Sequence, residues 1–373
     1  MESHTHPRLV TGSIAPSMTG GPKPGTVVGM FVALRDLRAA RGRFALITLV
    51  VVMVAVLVSF LSGLTAGLSH QNISALRTLT GDTVVFADAG TSPSFDSSAL
   101  TTDQVRTWQR DAHADPVGIA HAQAARADGP PARVALFGTE GNPRATVPGS
   151  VVLSAPAARA LSAATGDRIT LGTSTFTVAA ISGDDWYAHT PVVWMTLPDW
   201  QSVTPRGGAA TILVASNVPD AGALNAAAHT VTTTASGALQ AIGSYKAENS
   251  SLTLMTILLY AISALVIGAF FTVWTIQRTP DIATLKALGA TTASLIADAL
   301  GQALIVLLTG VGIGLAITSL AGTALGSSVP FVLSAATTLV PGAALIGLGL
   351  LGAALALRFL TTADPLTALN RTR

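Results

Sequence analysis

The chain has 373 residues, of which 50% are hydrophobic and 11% charged, with no cysteine and a formal net charge of +2. Soluble domains carry about 25% charged residues, so the composition excludes an ordinary soluble enzyme, and the small net charge gives no ground for a nucleic-acid groove. Without cysteine there is no disulfide, thiolate metal site, cysteine nucleophile or lipoprotein anchor.

Residues 1–29 are rich in Pro, Gly, Ser and Thr and read as a disordered tail. No apolar core follows their few charges, so they do not read as a signal peptide. Residues 30–43 place Phe31, Leu34 and Leu37 on one side of a helix and Arg35, Arg38, Arg41 and Arg43 around the rest. That pattern predicts a basic amphipathic helix lying on the inner membrane surface. From Phe44 to Ser69 there is no Asp, Glu, Lys or Arg, and about 20 such residues suffice to cross the hydrocarbon core. Residues 44–68 are the first expected span, entering from the cytoplasm because its basic flank lies there.

Charges and turn residues return over residues 69–250. Strand-like runs fall at Val151 to Leu153, Arg168 to Leu171, Thr175 to Ala180, Val192 to Met195 and Thr211 to Ala215; helical stretches fall at Thr102 to Arg110, Ala155 to Ala164 and Ala221 to Ser236. The second span is expected at 251–276 and a cytoplasmic loop or helix at 277–298. The third and fourth spans follow at 299–321 and 339–360, around an outer loop at 322–338, and a cytoplasmic tail closes the chain at 361–373. Every basic flank then lies on one side, with both termini inside. The fold class is a membrane protein with four transmembrane α-helices and an α+β extracytoplasmic domain inserted between the first and second spans.

Several strings have ordinary explanations. No G-x-x-x-x-G-K-[ST] sequence occurs, so the chain lacks a P-loop and an ATPase site of its own. Gly347, Gly349 and Gly352 match G-x-G-x-x-G but stand inside an uncharged span, where a nucleotide site has no place. Asp184, Asp185 and His189 fit a solvated loop better than an acid–base or metal set. Gly310 and Gly314 form a small-xxx-small pair that either packs on a neighbouring helix or reflects the glycine content of membrane helices.

Two polar groups carry more. If the second helix begins near residue 245, Tyr245, Glu248, Leu252 and Met255 share one face at the outer membrane boundary. An acid, a phenol and a thioether on one stripe suit an amphipathic ligand or a haem iron. An interfacial Tyr anchor with a helix-start Glu explains them as well. No other acid is expected near the outer ends of the spans. On the inner side, the segment from Thr279 to Ala290 reads as a short helix between spans, with Asp281 and Lys286 for docking and Gly289 to end it.

That inner string, RTPDIATLKALGA, resembles the R-x-x-[ED]-I-x-x-L-[KR]-A-[LI]-G-A segment of the FtsX-like, MacB-type ABC transporter permeases. The closing run from Ala363 to Leu369 resembles the family's terminal P-x-x-A-L segment, and GDRITLGTSTFTVAAI a hairpin of its outer domain. The resemblance implies a multi-pass permease of the bacterial plasma membrane, working as a homodimer over a separate ABC ATPase that binds ATP and Mg²⁺. It implies no intrinsic cofactor, and it assigns ATPase coupling to Arg278, Asp281, Lys286 and Gly289. YKAENSSLTLM, joined to the second span, resembles the haem-efflux (HrtB-type) branch. This implies haem, or another hydrophobic amphiphile, as exported substrate, with Glu248 as iron ligand and Tyr245, Met255 and Leu252 beside it. A non-transporting member would instead relay ATPase strokes to an extracytoplasmic cell-wall hydrolase, and would need an exposed apolar partner patch on its outer domain.

Overall fold

A computed structural model describes residues 41–361 except 128, 141–146, 206–207 and 327–328. The tail at 1–29, most of the basic helix expected at 30–43 and the closing segment from Ala363 lie outside the described residues.

Four helices are long and apolar enough to cross a membrane. They are α1 (Arg41–Ile73), α7 (Gly243–Gln277), α9 (Thr292–Leu325) and α10 (Ala335–Thr361). Each extends beyond the span expected from apolar residues alone. Backbone hydrogen bonding continues into polar sequence once a helix has begun, whereas the membrane limits only its apolar part. Hence α1 carries His70, Gln71 and Asn72, and α7 carries Tyr245 and Glu248, out beyond the apolar core.

Close packing joins the first and third spans along their shared length. A Cβ built on Gly310 would stand 2.7 Å from Val51 Cγ1, and one on Gly314 2.6 Å from Ala55 Cβ, so these two glycines let α9 sit directly on α1. One buried hydroxyl pair, Ser59 and Thr318 at 2.8 Å, ties the same helices. Gly349 packs on Leu307 and Gly352 on the backbone of Gly268, so the apparent G-x-G-x-x-G string is a packing surface. Past α9 the outer loop places Phe331 against Gly63, Gly67 and Gly322, its ring 5.3 Å from that of Phe60.

Between α1 and α7 stands the α+β domain. Its strands are β1 (Thr83–Ala87), β2 (Asp115–Arg126), β3 (Ala132–Thr139), β4 (Ser150–Leu153), β5 (Arg168–Leu171), β6 (Ser174–Ile181), β7 (Trp186–Tyr187), β8 (Thr190–Thr196), β9 (Ile212–Ala215) and β10 (Thr230–Thr234). They run in the order β10-β1-β9-β2-β3-β8-β4-β6-β5, and the far end of the long β2 also pairs with β5, curling that half of the sheet on itself. Strand alternation sorts the side chains: Leu136, Val193 and Met195 enter a core with α3 (Ala155–Leu161) and α4 (Leu197–Val203), while Phe137, Trp194 and Tyr187 enter another with Phe86 and Ile73. A third core forms where Val85 and Leu213 meet Trp108 of α2 (Thr102–Ala112) and Ala228 of α5 (Ala221–Ala228).

Two readings of this domain change. The helix expected over Ala221 to Ser236 stops at Ala228, where His229 takes φ 50°, and Thr230–Thr234 pairs antiparallel with β1. Its Thr-Val-Thr-Thr-Thr run is β-branched throughout, and a partner strand outweighs a weak helix preference. The helix expected to reach Ala164 ends at Leu161 for the same reason of geometry, because Ser162 adopts φ 49°. A four-residue helix, α6 (Ala235–Ala238), then leads into α7.

Candidate functional site at the outer ends of the spans

The hairpin of β7 and β8 turns through only two residues, Ala188 and His189, between the pairs Trp186↔Pro191 and Tyr187↔Thr190. Both have positive φ, 46° and 59°, as a tight primed turn requires; Asn and Gly are the usual occupants. Each non-glycine residue there costs about 1–2 kcal/mol. The tip is held by the end of α1: the Ala188 amide donates to Asn72 O at 3.1 Å and the His189 amide to Gln71 O at 3.0 Å. Those carbonyls belong to the last turn of α1 and have no partner within the helix.

The turn aims His189 at α7. Its Nε2 lies 2.8 Å from Glu248 Oε1, and Asn72 Nδ2 donates to Glu248 Oε2 at 2.9 Å. Asn72 also donates to Leu68 O at 3.3 Å and accepts from Ser244 Oγ at 2.7 Å. Asn72 Nδ2 also stands 3.0 Å from His189 Nε2, so amide, imidazole and carboxylate close a triangle of polar contacts. His189 Nδ1 stands 3.3 Å from Gln71 Oε1. Glu248 is 36% and His189 31% exposed, so the carboxylate is fixed from two sides and still open on a third.

The residues expected on one stripe do different things. Glu248 enters this network, Tyr245 packs against the outer-domain core beside Ile242, and Met255 is 56% exposed on the apolar shaft, one turn beyond the half-buried Leu252. A second acid also reaches the outer end of α1, contrary to the expectation that Glu248 stands alone: Asp184 Oδ2 lies 3.2 Å from His70 Nε2. The loop that supplies it is distant in sequence and arrives by folding. Asp185 is buried and accepts from Trp194 Nε1 at 3.0 Å, which makes it a support of the core. No cluster of three or more metal-ligating side chains occurs among the described residues.

A separate cleft of about 250 Å³ lies behind the hairpin, lined by Asp96, His121 and Tyr187 among others. Burial, aided by Arg133, pushes the His121 pKa down, and burial with the nearby Asp96 charge pushes the Tyr187 pKa up.

At the inner end, α8 (Thr279–Ala287) follows α7 after Arg278. Gly289, at φ 94°, closes it: the Gly289 amide donates a hydrogen bond to Lys286 O and the Ala290 amide one to Leu285 O, both at 3.0 Å. Lys286 is exposed, and so are Leu285 at 45% and Leu288 at 79%. Arg278 turns inward instead, and the side chain of Asp281 lies outside the described residues.

The profile of the MacB-like periplasmic core domain matches residues 44–234, and that of the FtsX-like permease C-terminal region matches residues 253–365. The chain belongs to the FtsX-like, MacB-type ABC transporter permeases. It is therefore a multi-pass bacterial membrane protein whose α+β domain, inserted after the first span, is extracytoplasmic. The permease is 26% identical over 352 residues, 91% of its length and 99% of the relative's, to a putative hemin transport system permease protein HrtB of Staphylococcus epidermidis. It is 26% identical over 353 residues to the protein of the same name in Staphylococcus haemolyticus, with the same coverage. Two solved structures align with parts of the permease. One is the periplasmic region of MacB from Actinobacillus actinomycetemcomitans, at TM-score 0.34 and 11% identity over 43% of this chain and 92% of that one. The other is the extracellular domain of the ABC-type transporter YknZ from Gram-positive bacteria, at TM-score 0.31 and 9% identity over 42% and 99%.

Proposed function

We propose that this permease exports haem, or a hydrophobic amphiphile like it, on ATP hydrolysed by a separate subunit. The observation that carries the reading is Glu248. It is a carboxylate at the outer end of a span, fixed by His189 and Asn72, partly open, and one helical turn from the apolar Leu252. An acid at the end of a span, held by protein groups yet left partly open, is a candidate point of entry for a ligand. A carboxylate and an imidazole 2.8 Å apart suit the iron and polar edge of a planar amphiphile, while the apolar shaft suits its ring. Two permeases would pair through α1 and α7, whose outward residues Met53, Leu57, Leu254 and Met255 are apolar. Two ATPase subunits, holding ATP and Mg²⁺, would press on α8 through Lys286, Leu285 and Leu288, with Asp281 and Gly289 setting its charge and its end. The names of the staphylococcal relatives agree with haem as cargo.

The alternative, a relay to a cell-wall hydrolase, lacks comparable support. Among the described residues of the outer domain only Val147 and Ile181 are exposed large hydrophobics, too few for an apolar partner patch. The test is protection of haem-sensitive cells expressing the permease with its ATPase. Protection by the parent and its loss in Glu248→Gln support export; equal protection by both contradicts the site.

A further inference from the structure

The inner end of the second span holds a polar knot that a lipid-facing helix end does not need. Arg278 is at once the last cap of α7 and the first of α8. Its guanidinium carbon lies 5.2 Å from the centroid of the Trp274 ring, and its Nη1 donates to Gln302 Oε1 at 2.5 Å. Gln302 is 1% exposed within α9, and its Nε2 donates to Asp298 Oδ2 at 2.9 Å. Leu285 of α8 and Leu357 of α10 line the same small cavity as Trp274, Arg278 and Asp298. Trp274 in turn packs edge-on against Phe44 of α1, centroids 6.0 Å apart. One cation, one amide and one carboxylate thus sit where all four spans and the cytoplasmic helix converge.

Charged and amide groups in a helix bundle are expensive unless each has a partner, and their presence points to a task. The backbone indicates which one. Pro280, at the second residue of α8, has no N–H, so the helical ladder is interrupted where α7 gives way to α8. The Arg278 amide, bonded to Trp274 O and Thr275 O at 3.3 and 3.2 Å, closes α7 just before Pro280. A break of this kind bends when pushed, and a force on α8 would be absorbed there. Side-chain bonds from Arg278 into α9 remove that freedom.

We infer that Arg278, acting through Gln302 and Asp298, is a positioning residue that locks the cytoplasmic helix to the second and third spans, so that all three move as one lever. The inference rests on membership of the permease family and is independent of the cargo. It moves Arg278 off the ATPase-facing surface and leaves docking to the exposed face of α8.

The experiment uses the full-length permease with its ATPase subunit in nanodiscs, and reads ATPase association and permease-dependent ATP turnover separately. Arg278→Gln and Gln302→Leu should each keep the ATPase bound and lower that turnover about tenfold, the worth of one hydrogen bond to a charged group. Combined, they should lower it no further, because each breaks the same link. Asp298→Asn keeps the shape and an acceptor, and should lower it about threefold even if the harsher variants fail to fold. Parent-level turnover in Gln302→Leu and Asp298→Asn overturns the inference. So does a double variant whose losses multiply. Release of the ATPase by Arg278→Gln alone also overturns it, since Arg278 would then touch the partner directly.

Discussion

Gly314→Val tests whether the close contact of α1 with α9 holds the bundle together. A Cβ at this position would lie 2.6 Å from Ala55 Cβ, 3.0 Å from Val52 O and 3.2 Å from Val56 N. Two of these three neighbours are backbone of α1, which no rotamer change can move. Ordinary carbon contacts sit near 3.5–4.0 Å, so α1 and α9 must part by about 1 Å. Overpacking of this kind costs about 1–3 kcal/mol, and parting the helices also stretches the 2.8 Å hydrogen bond between Ser59 and Thr318, worth about 1 kcal/mol. The expected loss is about 2–4 kcal/mol. Gly312→Val is the control, because nothing lies within 4 Å of a Cβ there and the helix-propensity change is the same. Thermal unfolding of the two detergent-solubilised variants should place Gly314→Val lower by roughly 5 °C or more. Equal midpoints would refute the close α1–α9 contact as the seam of the bundle.

Three further outcomes follow from particular residues. Cysteines at Ser97 and Thr291 should differ in intact cells, with only Ser97→Cys labelled by an impermeant reagent; the reverse labelling would invert the topology. Lys286→Glu and Leu288→Asp should weaken ATPase association by about tenfold or less, as expected for a reversed charge and a lost apolar contact at a docking face, and unchanged co-purification would place docking elsewhere. The depressed pKa of His121 means that the unfolded chain takes up a proton that the folded one resists. Stability should therefore be complete above the unfolded value near 6.5 and fall as pH drops through it towards the folded value. His121→Phe should flatten the loss as pH falls below about 6.5, and an unaltered melting-temperature profile would contradict this.

The spans were legible because charge is excluded from hydrocarbon: runs such as Phe44 to Ser69 admit few other readings. The β5–β6 hairpin was legible too, since Gly172, at φ 62°, marks its turn. Strand β2 was not legible because Val117 to Arg126 is rich in alanine, with little β-branched sequence to announce it. Glu248 stood out by its position beside a span, but its partner did not. His189 is 59 residues earlier and Asn72 is 176 earlier, and only the fold of the sheet brings the hairpin turn to both helix ends. The one local signal was the polar run from His70 to Asn72 at the close of an apolar helix, which suggests groups waiting for partners. The family string groups Arg278 with the coupling residues, but sequence cannot show which way a side chain at a helix junction turns; Trp274 and Gln302 draw it inward.

Glu248, held by His189 and Asn72 at the outer ends of the first two spans, is the proposed docking point of the exported molecule. Haem titrated into the purified permease, followed by its Soret absorption, tests this most directly. The parent should give a saturable shifted band, and Glu248→Gln should lose it with the thermal midpoint and ATPase association retained. The same band at the same affinity in Glu248→Gln would contradict it.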